Sequence, residues 1–142
     1  MTECKKVFLD TAPLIYFLDD DVNFGDKMRR ILEAVLGTDR KIVSSVITCD
    51  EYLVYPFRTN NQEKIDVFFE FTKDCGIDLT PITIEIATKA ASIRAKYEHF
   101  KPMDTLQLAA ATETGCDVFL TNDKQLKQFE EIRCITVEEW EL

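Results

Sequence analysis

Four acidic residues lie where apolar segments of the sequence begin or end. They are Asp10 after KVFL, Glu51 a few residues beyond KIVS, Asp104 at the start of DTLQLAAATETG, and Asp123 at the end of VFLTND. Carboxylate oxygens are hard ligands, and several of them in one place select Mg²⁺ or Mn²⁺. These residue types point to a metal site if the fold brings them together.

Three of these acids, Glu51, Asp104 and Asp123, also have a simpler explanation. An Asp at a helix start satisfies free backbone N–H groups, which would explain Asp104 or Asp123 taken singly. Asp50 or Thr48 could begin the next helix, leaving Glu51 as an ordinary first-turn acid. Clustered carboxylates, in contrast, raise each other's pKa unless a cation lies among them. If the fold brings all four acids close together, a metal site is favoured over a set of independent helix caps.

The segments that must position these acids alternate short apolar runs with longer helical patterns, which favours a parallel sheet. The predicted strands are KVFL (6–9), KIVS (41–44), IDLT (77–80), VFLT (118–121) and CITV (134–137). Their continuous apolar character is typical of strands covered on both faces. Helical spacing groups further core residues into three sets: Met28, Ile31, Leu32 and Val35; Ile65, Phe68, Phe69 and Thr72; and Ile86, Ala90, Ile93 and Tyr97.

The order βααβααβααβ with a final strand predicts one α/β domain over residues 1–142, a three-layer α/β/α sandwich with a central parallel sheet. Ligand sites in such sheets lie at the carboxyl ends of the strands, where the four acids stand. The segment TAPLIYFL follows the first of them as a helix. Pro13 suits its first turn, and Thr11 is a candidate for its cap.

Composition limits the classes of protein that remain. The formal net charge is −9, which argues against a simple nucleic-acid binder with a basic stripe, although bound cations would reverse the local field. Five cysteines without a C-x-x-C pair suit a reducing cytoplasm rather than a disulfide framework. The longest apolar run, LIYFL at 14–18, is far shorter than a membrane span.

Four stretches of the sequence resemble the PIN domain family, in particular the VapC-type toxin ribonucleases. They are VFLDTAPLIYFL, VSSVITCDEYL, RAKYEHFKPMDTLQLAAA and CDVFLTNDKQL. An acid opening an Ala-rich helix, followed by a strand and then Thr-Asn-Asp, is the most specific part. Glu51 is followed by Tyr52 where the family usually has Leu, a change expected to affect packing more than metal binding.

The resemblance implies a site and an activity. The metal-binding and catalytic acids would be Asp10, Glu51, Asp104 and Asp123, and the supporting polar residues would be Thr11, Thr121 and Asn122. The implied reaction is hydrolysis of RNA with Mg²⁺ or Mn²⁺. The implied partner is a small antitoxin protein, and a homodimer is left open.

Cationic residues flank the acidic motifs. Arg94, Lys101 and Lys124 are candidates for phosphate contacts, although such charges also occur on ordinary solvated faces. His99 is the only histidine, so a nucleophilic triad would depend on it alone, and we expect a surface or boundary residue.

The same residues bear on three other classes of protein. A phosphatase with a nucleophilic Asp needs a second acid two positions later, where this chain has Ala12. A receiver-like signalling domain needs paired acids after the first strand, where Asp10 stands alone. A non-catalytic interaction or scaffold module with the same fold remains the alternative.

Overall fold

A computed structural model describes residues 4–142 as a five-stranded sheet with helices on both faces. The strands are β1 (Lys6–Leu9), β2 (Lys41–Ser45), β3 (Asp78–Thr80), β4 (Val118–Thr121) and β5 (Arg133–Thr136). The helices are α1 (Thr11–Leu18), α2 (Gly25–Leu36), α3 (Val46–Arg58), α4 (Gln62–Asp74), α5 (Ile84–Lys96) and α6 (Pro102–Glu113), and a short 3-10 helix covers Lys124–Gln128. The predicted order of strands and helices is confirmed.

All neighbouring strands are parallel, in the order β3-β2-β1-β4-β5. Phe8 in the central strand β1 pairs with Val43 of β2 and with Phe119 of β4. The chain moves outward from β1 to β3 and then crosses back to the other side of β1. A reversal of this kind opens a crevice beyond the carboxyl ends of β1 and β4.

Two apolar clusters fill the space on the two faces of the sheet. Val7 and Leu9 of β1 pack with buried residues of α1 to α4, whereas Phe8 between them packs with α5 and α6. Phe8 stacks on Phe119 at a centroid distance of 5.3 Å, and both rings are fully buried. Alternate side chains of one strand thus enter opposite layers, which confirms the three-layer sandwich.

Helix α6 begins earlier than the sequence indicated. Its first residue is Pro102, because the fixed φ of proline suits the first helical position, and Lys101 occupies the cap. Asp104 is therefore the third residue of the helix, and α6 has no side-chain cap hydrogen bond. The interpretation of Asp104 as the residue that opens and caps this helix is wrong.

Helices α1 and α3 also begin differently from expectation. Asp10, not Thr11, caps α1 by accepting a hydrogen bond from the Thr11 N–H. Helix α3 begins at Val46 and is capped by Ser45, so neither Thr48 nor Asp50 starts it. Glu51 consequently lies in the second turn, on a helix that leaves the sheet directly from the end of β2.

Smaller differences concern strand ends and one core residue. Strand β2 extends to Ser45, β3 begins at Asp78, and β5 is Arg133–Thr136. Phe69 was predicted on the buried face of α4, but 47% of its surface is exposed, and its ring meets Phe68 edge-on. The buried stripe of α4 is narrower than the apolar pattern implied.

Candidate active site

Asp10 is a buried carboxylate at the carboxyl end of the central strand. Its Oδ1 accepts from the Thr11 N–H at 2.9 Å, and its Oδ2 accepts from the Thr121 hydroxyl at 2.9 Å. Burial raises the pKa of Asp10 to about 7 against the opposing effect of these two hydrogen bonds. The negative charges of Asp104 and Glu51 also contribute to this rise, so three of the predicted acids act on one another.

Asp104 faces this group from the first turn of α6. Partial burial raises its pKa, and the charges of Asp123 and Glu51 add to the increase, whereas Lys101 lowers it. Asp104 therefore interacts electrostatically with all three other acids, although they come from separate parts of the chain. The acids predicted from the sequence are brought to one edge of the sheet.

Glu51 reaches the same place from the second turn of α3. Its Oε1 accepts a hydrogen bond of 2.7 Å from the hydroxyl of Thr11, the first residue of α1. The Thr11 hydroxyl also lies 3.2 Å from that of Thr48, one turn earlier on α3. Thr11 thus ties the exposed Glu51 to the buried end of β1.

Thr121 connects the acids at the ends of β1 and β4. While its hydroxyl donates to Asp10, it accepts from the backbone N–H of Asp123 at 3.1 Å. Asp123 in turn caps the 3-10 helix by accepting from the Gln125 N–H at 2.9 Å. Asp123 therefore does cap a helix, and its charge also acts on Asp104. Asn122 is exposed, and its side chain lies close enough to the Tyr16 hydroxyl to oppose the rise that burial causes in the pKa of Tyr16.

A buried polar network beneath the acids was not foreseen from the sequence. It consists of the side chains of Ser44, Ser45, Thr48 and Gln107, which exchange hydrogen bonds between the end of β2, α3 and the middle of α6. Gln107 also approaches Asp10 Oδ1 and Thr11 Oγ1, each at 3.4 Å. A polar residue at a core-facing position of the Ala-rich α6 was the only sequence signal for this network.

The cations predicted to meet phosphates occupy different positions. Lys101 caps α6 and is close enough to lower the pKa of Asp104. Lys124 is exposed directly after Asp123, at the start of the 3-10 helix. Arg94 lies on the exposed side of α5, where it lines a shallow groove with Ala91, Ala95 and Phe100. The structure thus places Lys101 near Asp104, Lys124 next to Asp123 in sequence, and Arg94 on the exposed side of α5.

The donor set suits a hard divalent cation, because all four groups are carboxylates and two of them have raised pKa values that a cation would lower. Within residues 4–142, however, no three His, Cys, Asp or Glu side chains are already gathered closely enough to hold a metal ion. Binding would have to draw the acids inward. Glu51, Asp104 and Asp123 are exposed or partly buried, so their side chains are not confined by core packing.

Fold and site together define an α/β protein with an acidic cluster at the point where the order of a parallel sheet reverses. The chain belongs to the PIN domain family, whose model matches residues 7–132. No curated protein sequence matches it. No helix in the described part of the chain has the length and apolar character needed to cross a membrane.

Solved structures with similar folds come from toxin–antitoxin systems. VapBC2 of Rickettsia felis, bound to a promoter DNA fragment, has a chain with TM-score 0.74 and 16% identity, covering 92% of this chain and 98% of that one. DNA-bound VapBC of Salmonella typhimurium gives TM-score 0.73, 21% identity and coverages of 94% and 98%. VapC20 of Mycobacterium tuberculosis, described as a toxin that cleaves the sarcin-ricin loop, gives TM-score 0.68, 13% identity and coverages of 89% and 98%. At these identities the likeness is one of fold.

Proposed function

We propose that this chain is a divalent-metal-dependent endoribonuclease that uses Mg²⁺ or Mn²⁺. The observation that carries the proposal is the buried carboxylate of Asp10, whose pKa is raised to about 7 by burial and by the neighbouring Asp104 and Glu51. A structural role alone gives no reason to place like charges around a buried acid, since the arrangement costs stability without a counter-ion. Membership of the PIN domain family supports the same reading.

The proposed roles of the residues follow from how buried each side chain is. Asp10, Asp104 and Asp123 would hold the cation, and the more exposed Glu51 would complete the site or orient the attacking water. A bound divalent cation supplies a water of lowered pKa and stabilises the leaving oxygen of a phosphodiester. Thr11 and Thr121 fix carboxylate oxygens through hydrogen bonds, so the buried side of the site is preorganised. Lys101 and Lys124 would meet phosphates of the RNA.

The proposed biological role is that of a toxin held inactive by a small antitoxin. The similar solved structures include VapBC complexes and a toxin–antitoxin complex from Klebsiella pneumoniae. An antitoxin would cover the acidic edge, and an inserted Arg would form strong charge-assisted bonds with its carboxylates. The five cysteines are free thiols, so we propose the reducing cytoplasm as the setting.

The first test compares RNA cleavage by the wild-type chain and by Asp104→Asn. Labelled structured and single-stranded RNAs are incubated with Mg²⁺, with Mn²⁺ or with EDTA. We expect cleavage that requires the metal and falls by at least about 100-fold in Asp104→Asn, because the variant removes one charge from the site. The fold should be retained, since Asp104 does not cap α6.

Glu85→Gln provides the matched control, because Glu85 is an exposed acid in the first turn of the neighbouring helix α5. It should cleave like the wild-type chain. Equal activity of wild type and Asp104→Asn, or cleavage that persists in EDTA, would contradict the proposal. Absence of both cleavage and metal binding would favour the interaction-module alternative.

A second test addresses the antitoxin. The chain is co-expressed with the small protein encoded beside its gene, and the complex is assayed before and after removal of that partner. We expect the complex to be inactive and the released chain to cleave RNA. A chain that is equally active with and without the partner would argue against the toxin role.

A further inference from the structure

Gln107 carries a polar amide in an otherwise apolar part of α6. Its exposed fraction is 1%, and it is followed by Leu108 and three alanines that are all completely buried. Burial of an unbonded amide is strongly unfavourable, because the amide loses its hydrogen bonds to water. Within the described residues, however, every buried side-chain nitrogen and oxygen has a hydrogen-bond partner. The position tolerates Gln only because neighbouring groups satisfy it.

The two ends of the Gln107 amide have different partners. Its Oε1 accepts from the hydroxyl of Ser45, and its Nε2 donates to the Thr48 hydroxyl at 2.7 Å. Ser45 and Thr48 are both completely buried, so bulk water does not compete for these bonds. The amide is therefore fixed in one orientation between the end of β2 and the first turn of α3.

The contacts continue from Thr48 to a proposed catalytic acid. The Thr48 hydroxyl lies 3.2 Å from the Thr11 hydroxyl, which is 2.7 Å from Glu51 Oε1. Thr11 has one hydroxyl hydrogen, and the shorter bond assigns it to the Glu51 carboxylate. Gln107 itself contacts Thr11 Oγ1 at 3.4 Å. Gln107 thus contacts the hydroxyls of Thr48 and Thr11, and the Thr11 hydroxyl holds Glu51 Oε1.

We propose that Gln107 is a positioning residue that acts through Thr48 and Thr11 to fix the Glu51 carboxylate at the acidic edge. This inference rests on the proposed metal-dependent function. A leucine would fill a similar volume, but it would leave the buried Ser45 hydroxyl without this acceptor and the Thr48 hydroxyl without this donor. The amide is therefore explained by the geometry it imposes on the neighbouring hydroxyls. Gln107 does not touch the substrate in this role.

The test is calorimetric titration of the metal-free full chain with Mn²⁺, which needs no RNA. Gln107→Leu should weaken Mn²⁺ binding about 10- to 100-fold, the usual effect of removing a group that orients a ligand. Leu108→Val, equally buried on the same helix, is the control. It should lower the melting temperature and leave the Mn²⁺ dissociation constant unchanged.

A double variant at Gln107 and Glu51 tests whether Gln107 positions Glu51 or only stabilises the fold. If Gln107 acts through Glu51, Gln107→Leu combined with Glu51→Gln should bind Mn²⁺ no more weakly than Glu51→Gln alone. Additive losses would overturn the inference, as would a folded Gln107→Leu variant that binds like the wild type. If Gln107→Leu does not fold, Thr48→Val interrupts the same path, and Thr48→Ser should restore binding. Equal Mn²⁺ binding by these two Thr48 variants would also overturn it.

The same titrations distinguish the two proposals. The proposed function would be contradicted, and the inference with it, if Glu51→Gln and Asp104→Asn both bound Mn²⁺ as tightly as the wild-type chain. The same would follow if the wild-type chain did not bind Mn²⁺. Weakened binding in those variants with unchanged binding in Gln107→Leu would remove the positioning role alone.

Discussion

Asp10 shows at the scale of one residue how a site can be costly to the fold that contains it. Asp10 is 8% exposed, and its carboxylate accepts two hydrogen bonds. Desolvation nevertheless outweighs them, and its pKa is raised to about 7. The metal-free protein therefore holds a proton on Asp10 under conditions where an unfolded chain has released it.

This difference predicts how the stability of the metal-free chain depends on pH. An unfolded Asp ionises near pH 3.9. Because the folded state binds the extra proton between that pH and about 7, the free energy of unfolding should fall as pH rises through this window and level off above it. The slope from this one group is at most about 1.4 kcal/mol per pH unit. Urea denaturation in EDTA between pH 5 and 8 measures it.

Asp10→Asn and added Mg²⁺ are the controls for this prediction. The variant has no proton to lose and should show a flatter profile. Mg²⁺ binds the ionised form, so it should stabilise the wild-type chain more at pH 7.5 than at pH 5.5. The same slope in Asp10→Asn as in the wild type would assign the pH dependence to other groups.

At the scale of elements, helices α5 and α6 form a layer in which only α6 supplies an acid to the site. Helix α5 packs on α6 through Ile86, Ala90 and Ile93, and its N-terminus is capped by Thr83. The Thr83 hydroxyl accepts from the Ile86 N–H at 3.1 Å. The N-terminus of α5 thus contributes to the stability of the layer through its cap.

We therefore expect Thr83→Ala to separate stability from activity. Loss of the cap should lower the free energy of unfolding by about 1 kcal/mol, because one N–H of the first turn loses its partner. Thr83→Ser retains the hydroxyl and should lose much less. Metal affinity and RNA cleavage should be unchanged for both variants at a temperature where they are folded. A loss of metal affinity in Thr83→Ala would connect α5 to the site.

The same elements show which features the sequence made predictable. Strands such as VFLT could be predicted because both of their faces are covered and their residues are apolar throughout. The acids could be predicted because each one follows a strand or lies near the start of a helix. Helix starts were misplaced where two residues compete for the cap, as at Asp10 and Thr11. The Gln107 network was missed because its hydrogen bonds join β2, α3 and α6, which are distant in sequence.

At the scale of the whole molecule, charge opposes the proposed substrate. The chain has 17 basic and 26 acidic residues, and four of the acids meet at the edge where RNA would dock. A metal-free protein of this kind repels phosphate at its own site. Bound divalent cations would reverse the local field.

RNA binding should therefore depend on divalent cations even when no cleavage occurs. We expect the affinity for a labelled RNA, measured by fluorescence anisotropy at constant ionic strength, to rise when Ca²⁺ replaces the monovalent salt. Asp104→Asn should reduce this gain, because it removes a ligand. Replacement of Lys101 and Lys124 by Ala should weaken binding to all RNAs alike. If the affinity for RNA were the same with and without Ca²⁺, RNA would bind away from the acidic edge.

The strand order has a consequence for how the protein is made. Central strand β1 is synthesised first, but one of its two neighbours, β4, is residues 118–121, near the other end of the chain. A nascent chain of 100 residues contains only Asp10 and Glu51 of the four acids, and it lacks the strand that closes the sheet beside them. Contacts of such long sequence separation form late. The four acids should therefore meet only after β4 has been synthesised and has paired with β1.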